Sequence, residues 1–146
     1  MLLADSNIWL ALTLSAHEFH LPARNWFSDQ SRRGSVVFCR ATQQSFLRLL
    51  TTRSVFASYA MNPMGNKKAW SVYESFVADR RVGWADDPRD LDHQWKKWTS
   101  NPMPSPKLWM DAYLAAFAST GKFQLVTTDR GFRQFDGIDL LLLPKD

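Results

Sequence analysis

The sequence is poor in the residues and patterns that mark several large classes of protein. Its 146 residues include one cysteine, Cys39, so no disulfide can form within the chain, and no Cys or His residues recur at the spacing of a zinc site. No apolar run approaches the roughly 20 residues that a membrane-spanning helix requires. The amino end lacks the basic start and long apolar core of a signal peptide, so we expect a cytoplasmic protein.

Length and charge indicate how many domains the chain forms and what kind of partner it could bind. With 146 residues, 45% of them hydrophobic, the chain is long enough for one well-buried domain and too short for two, so we expect residues 1–146 to form a single domain. The formal net charge is +4, and the pI is near 9.5. This balance is compatible with a polyanionic partner such as RNA, although many basic proteins bind no nucleic acid.

Short apolar segments alternate with longer helical patterns along the chain, which is typical of parallel βαβ units. Five segments are predicted as strands: Met1–Ala4, Val36–Phe38, Val82–Trp84, the run containing Leu125 and Val126, and Ile138–Leu143. The helix that follows residue 105 is predicted to use Ser105 as its N-cap and Pro106 as its first residue. The pattern predicts an α/β fold.

Two aspartates follow predicted strands directly. Asp129 comes after the run that contains Leu125 and Val126 and precedes Gly131, and Asp5 comes after the first strand. Because ligands of α/β sheets bind beyond the carboxyl ends of the strands, both carboxylates are candidates for one site. Each also has a simpler interpretation, since an Asp before Gly often forms a turn and an Asp before a helix often caps it.

A third aspartate, Asp111, lies within a predicted helix. It is the only charged residue from Leu108 to Thr120, and helical spacing puts it on one stripe with small apolar residues. A carboxylate in such surroundings either becomes protonated or finds a cation or hydrogen-bond donors. Backbone amides or an arginine could satisfy it, but the predicted position near the sheet edge favours a functional role.

Three acids from the start, the late middle and the end of the chain can thus converge at one sheet edge, an arrangement that resembles the PIN domain. The segments that carry the resemblance are Asp5–Trp9, Arg40–Thr51, Leu108–Ala118 and Leu125–Phe132, which follow the order of a VapC-type toxin ribonuclease of a bacterial toxin-antitoxin pair. The resemblance implies a three-layer α/β/α fold with a mostly parallel five-stranded sheet flanked by helices.

The resemblance also implies a chemistry. Asp5, Asp111 and Asp129 would hold Mg²⁺ or Mn²⁺, which all-oxygen ligand sets favour over zinc. The cation would activate water for the hydrolysis of RNA, which in this family is often a transfer RNA, to products with 5′-phosphate and 3′-hydroxyl ends. The residues expected to orient the ligands are Asn7 and Thr128. The residues expected to contact RNA phosphates are Arg40, Arg48, Lys107 and Arg130.

One position departs from the pattern of the family. Where most members carry a glutamate at the start of the third helix, the best-aligned residue is Gln43, with Gln44 beside it. Gln43 shares a helical stripe with Phe46 and Leu50, so it is expected to point inward and to serve as a fourth site residue. An amide oxygen can bind a hard cation but brings no charge. A weakly active or inactive RNA- or protein-binding module is therefore the alternative function.

The partners implied by the resemblance are a cognate VapB-like antitoxin and a second copy of the chain in a homodimer. The antitoxin is expected to bind along early-helix aromatics such as Trp9, Phe19 and Trp26. Burial in the core is the alternative interpretation of these side chains. A receiver-like phosphoacceptor is a further alternative. It ranks low, because such a domain needs adjacent acids after its first strand, a phosphorylatable Asp at mid-chain and a Lys after a late strand, and we can assign none of these roles in the sequence.

Overall fold

The computed structural model describes residues 1–145, in which five strands form one sheet. They are β1 (Leu2–Ala4), β2 (Val36–Phe38), β3 (Val82–Trp84), β4 (Gln124–Thr127) and β5 (Asp139–Leu142). The strand order is β3-β2-β1-β4-β5, and each neighbouring pair is parallel. The predicted α/β fold with a mostly parallel five-stranded sheet is confirmed.

Helices occupy the intervals between the strands, as parallel pairing requires. They are α1 (Ser6–Thr13), α2 (His20–Ser28), α3 (Arg40–Leu50), α4 (Arg53–Ala57), α5 (Asn66–Val77), α6 (Leu91–Thr99), α7 (Leu108–Gly121) and a 3₁₀ helix (Arg130–Gln134). The sequence did not predict α4 or the 3₁₀ helix. Both are five residues long, too short for apolar periodicity to reveal.

The start of α7 differs from the prediction. The helix begins at Leu108, and the N–H of Leu108 donates to the carbonyl of Ser105 in a preceding turn. The Ser105 hydroxyl donates within its own loop, to Asn101 Oδ1 and to the carbonyl of Met103. Ser105 is therefore not an N-cap, because its side chain is directed away from the helix.

Alternation of side chains along the strands divides the core into two halves. In β2, Val36 and Phe38 pack with the helices α1 to α5, whereas Val37 packs with α6 and α7. In β4, Val126 likewise packs with the helices α1 to α5, and Leu125 packs with α6 and α7. Successive side chains of a strand point to opposite faces, so the sheet lies between two helical layers. The predicted three-layer arrangement is confirmed.

The indole of Trp9 organises the first half of the core. It stacks on Phe38 at a centroid distance of 4.0 Å, and its Nε1 donates to the carbonyl of Ala4 at 3.2 Å. Trp9 is fully buried and Phe19 is 9% exposed. Of the three aromatics along which the antitoxin is expected to bind, these two are therefore core residues. Within residues 1–145 no helix is long and apolar enough to cross a membrane.

At Gly83 the edge strand β3 closely approaches the turn that precedes β2. A Cβ added to Gly83 would lie 2.7 Å from the carbonyl oxygen of Gly34, whereas one added to Gly65 meets no atom within 4 Å. We expect Gly83→Ala to lower the free energy of unfolding by about 1–3 kcal/mol through overpacking. Gly65→Ala, which changes only a helix cap, should cost less than about 1 kcal/mol. Urea unfolding of both variants measures this, and equal losses would contradict it.

Candidate active site

The site is built around Asp5, which follows β1 and precedes α1. Its Oδ1 accepts the backbone N–H of Ser6 at 2.7 Å, and its Oδ2 accepts the hydroxyl of Thr127 at 2.8 Å. The backbone N–H of Asp5 donates to the carbonyl of Val126 at 2.9 Å. The carboxylate therefore caps α1, as the simpler sequence interpretation proposed, and is also fixed to the neighbouring strand β4.

The hydroxyl of Thr127 connects the polar groups at this edge. It donates to Asp5, and it accepts the Nδ2 amide of Asn7 at 3.3 Å and the backbone N–H of Asp129 at 3.1 Å. Thr127 is fully buried. Thr128, which the sequence analysis assigned to this role, contributes only its backbone N–H, to Asn7 Oδ1 at 3.4 Å. The threonine side chain that contacts Asp5 is thus that of Thr127, and the side chain of Asn7 lies beside it.

Asp129 lies at the end of β4 and is exposed. Its Oδ1 accepts the N–H of Gly131 at 2.8 Å and caps the 3₁₀ helix. This is the turn that an Asp before Gly predicts. Asp129 also acts on the other two acids, because its negative charge raises the pKa of Asp5 and of Asp111.

Asp111 lies in the first turn of α7 and is half-buried. Burial raises the pKa of its carboxyl, and the charge of Asp129 raises it further. Among the described residues no side chain or backbone N–H within hydrogen-bond distance donates to this carboxylate, and no cation pairs with it. The negative potential around Asp111 is therefore not neutralised by the residues of the site.

The pKa of Asp5 is raised to about 6, chiefly because the carboxyl is buried. The hydrogen bonds from Thr127 and from the N–H of Ser6 lower the pKa, and the charges of Asp111 and Asp129 raise it. Desolvation and like charge both disfavour the carboxylate form. A cation bound at this edge would remove both penalties at once.

A cleft of about 210 Å³ joins two of the acids. Its walls come from the start of α1, one face of α3 and the first turns of α7. The lining residues are Asp5, Ser6, Ala41, Thr42, Ser45, Arg48, Met110, Asp111, Tyr113 and Leu114. The wall on the α7 side is held by a hydrogen bond from the hydroxyl of Tyr113 to Asp87 Oδ1 at 2.7 Å.

The face that α3 presents to the cleft does not include Gln43. Gln43 Oε1 accepts Arg40 Nη1 at 2.6 Å, and its amide lies beside the hydroxyl of Tyr73. The α3 residues that line the cleft are Ala41, Thr42, Ser45 and Arg48. Gln43, expected as a fourth site residue, thus does not line this cleft, and its role at the site stays a prediction. The stripe that it shares with Phe46 and Leu50 faces the core, whereas Ser45 faces the acids.

The four cations predicted to contact phosphate lie in different places. Arg48 lines the cleft, Lys107 borders an adjoining hollow that it shares with Asp111, and Arg130 lies in a trough beside Thr128. The guanidinium of Arg40 instead stacks on Trp84 at 4.8 Å and donates to Gln43. Arg40 is therefore occupied at the β3 side of the sheet and does not line the cleft.

The donors in the cleft fit a divalent cation that retains part of its water shell. Within residues 1–145 no three His, Cys, Asp or Glu side chains are close enough to enclose one ion. The three aspartates therefore do not form a preassembled cage. Mg²⁺ is commonly bound by one or two carboxylates, with water and substrate phosphate completing its octahedron. Asp5 and Asp111, on the walls of one cleft, provide such a pair.

The fold and the acidic sheet edge define a known class. The chain matches the PIN domain over residues 2–138, and it belongs to that family. It is 51% identical to ribonuclease VapC41 of Mycobacterium tuberculosis (strains CDC 1551 / Oshkosh and ATCC 25618 / H37Rv), over 146 residues that cover 99% of this chain and 100% of the relative. The resemblance to VapC-type ribonucleases is confirmed.

Solved structures share the fold at low sequence identity. One is VapC20 of M. tuberculosis, described as a toxin that cleaves the sarcin-ricin loop, with a TM-score of 0.66, 15% identity and coverage of 99% of this chain and 100% of that one. Another is VapBC2 of Rickettsia felis bound to a promoter DNA fragment, with a TM-score of 0.68, 10% identity and coverage of 97% and 98%.

The roles of Thr127 and Thr128 can be separated by the pKa of Asp5. Thr127→Val removes the hydrogen bond that lowers this pKa, so the pKa should rise above about 6. Thr128→Val should leave the pKa unchanged, because the Thr128 side chain does not bond Asp5. Carboxyl NMR titration of the two variants measures the shift. An equal response would contradict the assignment of Thr127.

Proposed function

We propose that this protein is a divalent-cation-dependent endoribonuclease and the toxin of a type II toxin-antitoxin pair. The observation that carries the proposal is the pair Asp5 and Asp111, two carboxylates of raised pKa that line one cleft with Arg48. Perturbed carboxylates in a cleft are typical of catalytic sites. The similarity to ribonuclease VapC41 over the whole chain supports the reaction class.

In this proposal Asp5 and Asp111 hold Mg²⁺ or Mn²⁺, with Asp129 close enough to add negative potential. When bound, such an ion lowers the pKa of water and offsets charge on the scissile phosphate. The protein's contribution is orientation. Thr127 fixes one oxygen of Asp5, and Asn7 fixes Thr127. The products would carry 5′-phosphate and 3′-hydroxyl ends, as the family resemblance implies.

Arg48 is the cation best placed to contact the substrate. It is exposed and lines the same cleft as the two acids. A guanidinium there can bind a phosphate oxygen through two parallel N–H donors. Arg48 would hold the phosphodiester against the carboxylates, which would otherwise repel it.

The substrate would be RNA, with transfer RNA as the class that the resemblance favours, and the compartment the cytoplasm. The partner would be a VapB-like antitoxin, because a VapBC complex shares this fold. A homodimer would cover apolar surface that α5 leaves exposed, including Trp70 at 47% and Val77 at 48%. Beside Trp70 a hollow lined by Leu47 and Arg48 extends this surface towards the cleft.

A binding module with weak or no cleavage is the second candidate. The observation that favours it is that the α3 wall of the cleft carries no carboxylate, since Thr42 and Ser45 line it there together with Arg48. The hydroxyl of Thr42 is already occupied, since it accepts the N–H of Cys39 and donates to the carbonyl of the same residue. Two carboxylates then carry most of the cation's affinity.

Cleavage that depends on Asp111 would separate the two functions. Asp111→Asn should lower the rate of RNA cleavage by at least about 100-fold, because it removes one of two carboxylates. A chelator should abolish cleavage by the wild type. Asp29→Asn, an exposed change beyond α2, is the control and should cleave normally. Equal cleavage by both variants, or cleavage in excess chelator, would contradict the proposal.

The position of a further ligand can be tested on α3. Ser45→Glu places a carboxylate on the cleft wall and should tighten Mn²⁺ binding by about tenfold or more. Gln43→Glu should change Mn²⁺ binding little, because the new carboxylate would pair with Arg40 outside the cleft. Calorimetric titration of both variants measures this. A larger effect at residue 43 would show that Gln43 does face the cation.

A further inference from the structure

A second concave surface lies beside the acids, beyond the carboxyl ends of β4 and β5. It is a trough of about 760 Å³. One wall is Thr128 with Arg130 and Arg133 of the 3₁₀ helix, another is the segment 142–145, and Glu18 with Phe19 closes it. None of these side chains belongs to the cleft that contains Asp5 and Asp111.

The described residues that line this trough carry a net positive charge. Among residues 1–145, three cations line it, Arg130, Arg133 and Lys145, against one carboxylate, Glu18. Lys145 Nζ lies 3.1 Å from Glu18 Oε2, but these side chains are 64% and 61% exposed, so the pair is weak. Within residues 1–145 neither Arg130 nor Arg133 lies at ion-pair distance from a carboxylate. Two guanidinium groups are thus available to an anionic ligand.

The trough adjoins the reacting end of the sheet. Thr128 lies between Thr127, which holds Asp5, and Asp129. Consecutive Cα atoms are about 3.8 Å apart, so the wall of the trough begins within one residue of both site groups. A chain of phosphates whose reacting member lies at Asp5 would place its neighbours in this trough.

We propose that the trough binds the single-stranded RNA backbone next to the scissile phosphate, through Arg130, Arg133 and Lys145. This inference rests on the proposed function and adds a second contact surface to it. The ligand is a run of phosphodiesters, because flexible cations on an open wall contact charge rather than base edges. Glu18 holds Lys145 and reduces the affinity of the trough for RNA.

Binding of a fluorescent 20-nucleotide oligouridine, measured by anisotropy in chelator, tests the proposal without cleavage. Each phosphate contact contributes about 0.7 to the slope of log K against log salt for single strands. Arg130→Gln with Arg133→Gln should lower the slope by about 1.4 and weaken binding. Glu18→Gln should strengthen it. The control is Arg32→Gln with Arg33→Gln, the same charge change in the turn that precedes β2 at the opposite edge of the sheet.

The possible outcomes distinguish failure of the trough proposal from failure of the proposed nuclease activity. A slope that falls equally in the trough and control variants would overturn the trough proposal, even if Asp111-dependent cleavage is found. Poly-glutamate serves as a second anionic probe. If the trough variant loses binding to poly-glutamate but binds oligouridine as the wild type does, the proposal is overturned in favour of an acidic protein partner. A selective change in RNA slope together with no cleavage by the wild type would support the trough and refute the nuclease. All the substituted residues are exposed, and thermal melting verifies the fold of each variant.

Discussion

The hydrogen bond from the Thr127 hydroxyl to Asp5 Oδ2 is the contact on which the site depends. It exists because β1 and β4 are parallel neighbours, with Ala4 paired to Val126, so the next residues of the two strands, Asp5 and Thr127, lie side by side. The same hydroxyl accepts from Asn7 and from the backbone of Asp129. Residues 120 positions apart in sequence are thus brought to one sheet edge by parallel pairing, and rigid strands rather than loops set their geometry.

Burial and the charges of Asp111 and Asp129 raise the free energy of the ionised form of Asp5, and a bound cation would lower it. The folded pKa of Asp5, about 6, exceeds its ordinary value of 3.8, so between these values the folded state binds more protons than the unfolded state. Stability of the cation-free protein should therefore fall as pH rises from about 4 to about 6. A bound cation reverses the sign, because it favours the carboxylate. Cation affinity should consequently decline as pH falls through about 6.

The sequence was sufficient where chain direction and periodicity carry the information, as for the five strands and for Asp5 and Asp129 at strand ends. The sequence did not distinguish adjacent residues of similar chemistry whose side chains differ only in the direction in which they point. Thr127 and Thr128 are chemically alike, and the strand's alternation turns only Thr127 into the site. On α3 the apolar stripe of Phe46 predicted an inward Gln43 correctly, since Gln43 is buried. That inward direction leads to the core and not to the cleft. Because successive residues of a helix point about 100° apart, the cleft is lined by Ala41, Thr42, Ser45 and Arg48 instead.

The arrangement of charge around this edge explains how an acidic cleft could accept a polyanion. Asp5, Asp111 and Asp129 make the local potential negative, so a phosphodiester that entered the cleft would be repelled. Arg48 in the cleft, Lys107 in the adjoining hollow and Arg130 in the trough lie around the acids. Cations on the flanks can hold neighbouring phosphates while only the central one needs a divalent ion. The proposed function thus assigns the binding of RNA and the binding of the ion to different residues, so substitutions on the flanks should change affinity for the substrate while cleavage is retained.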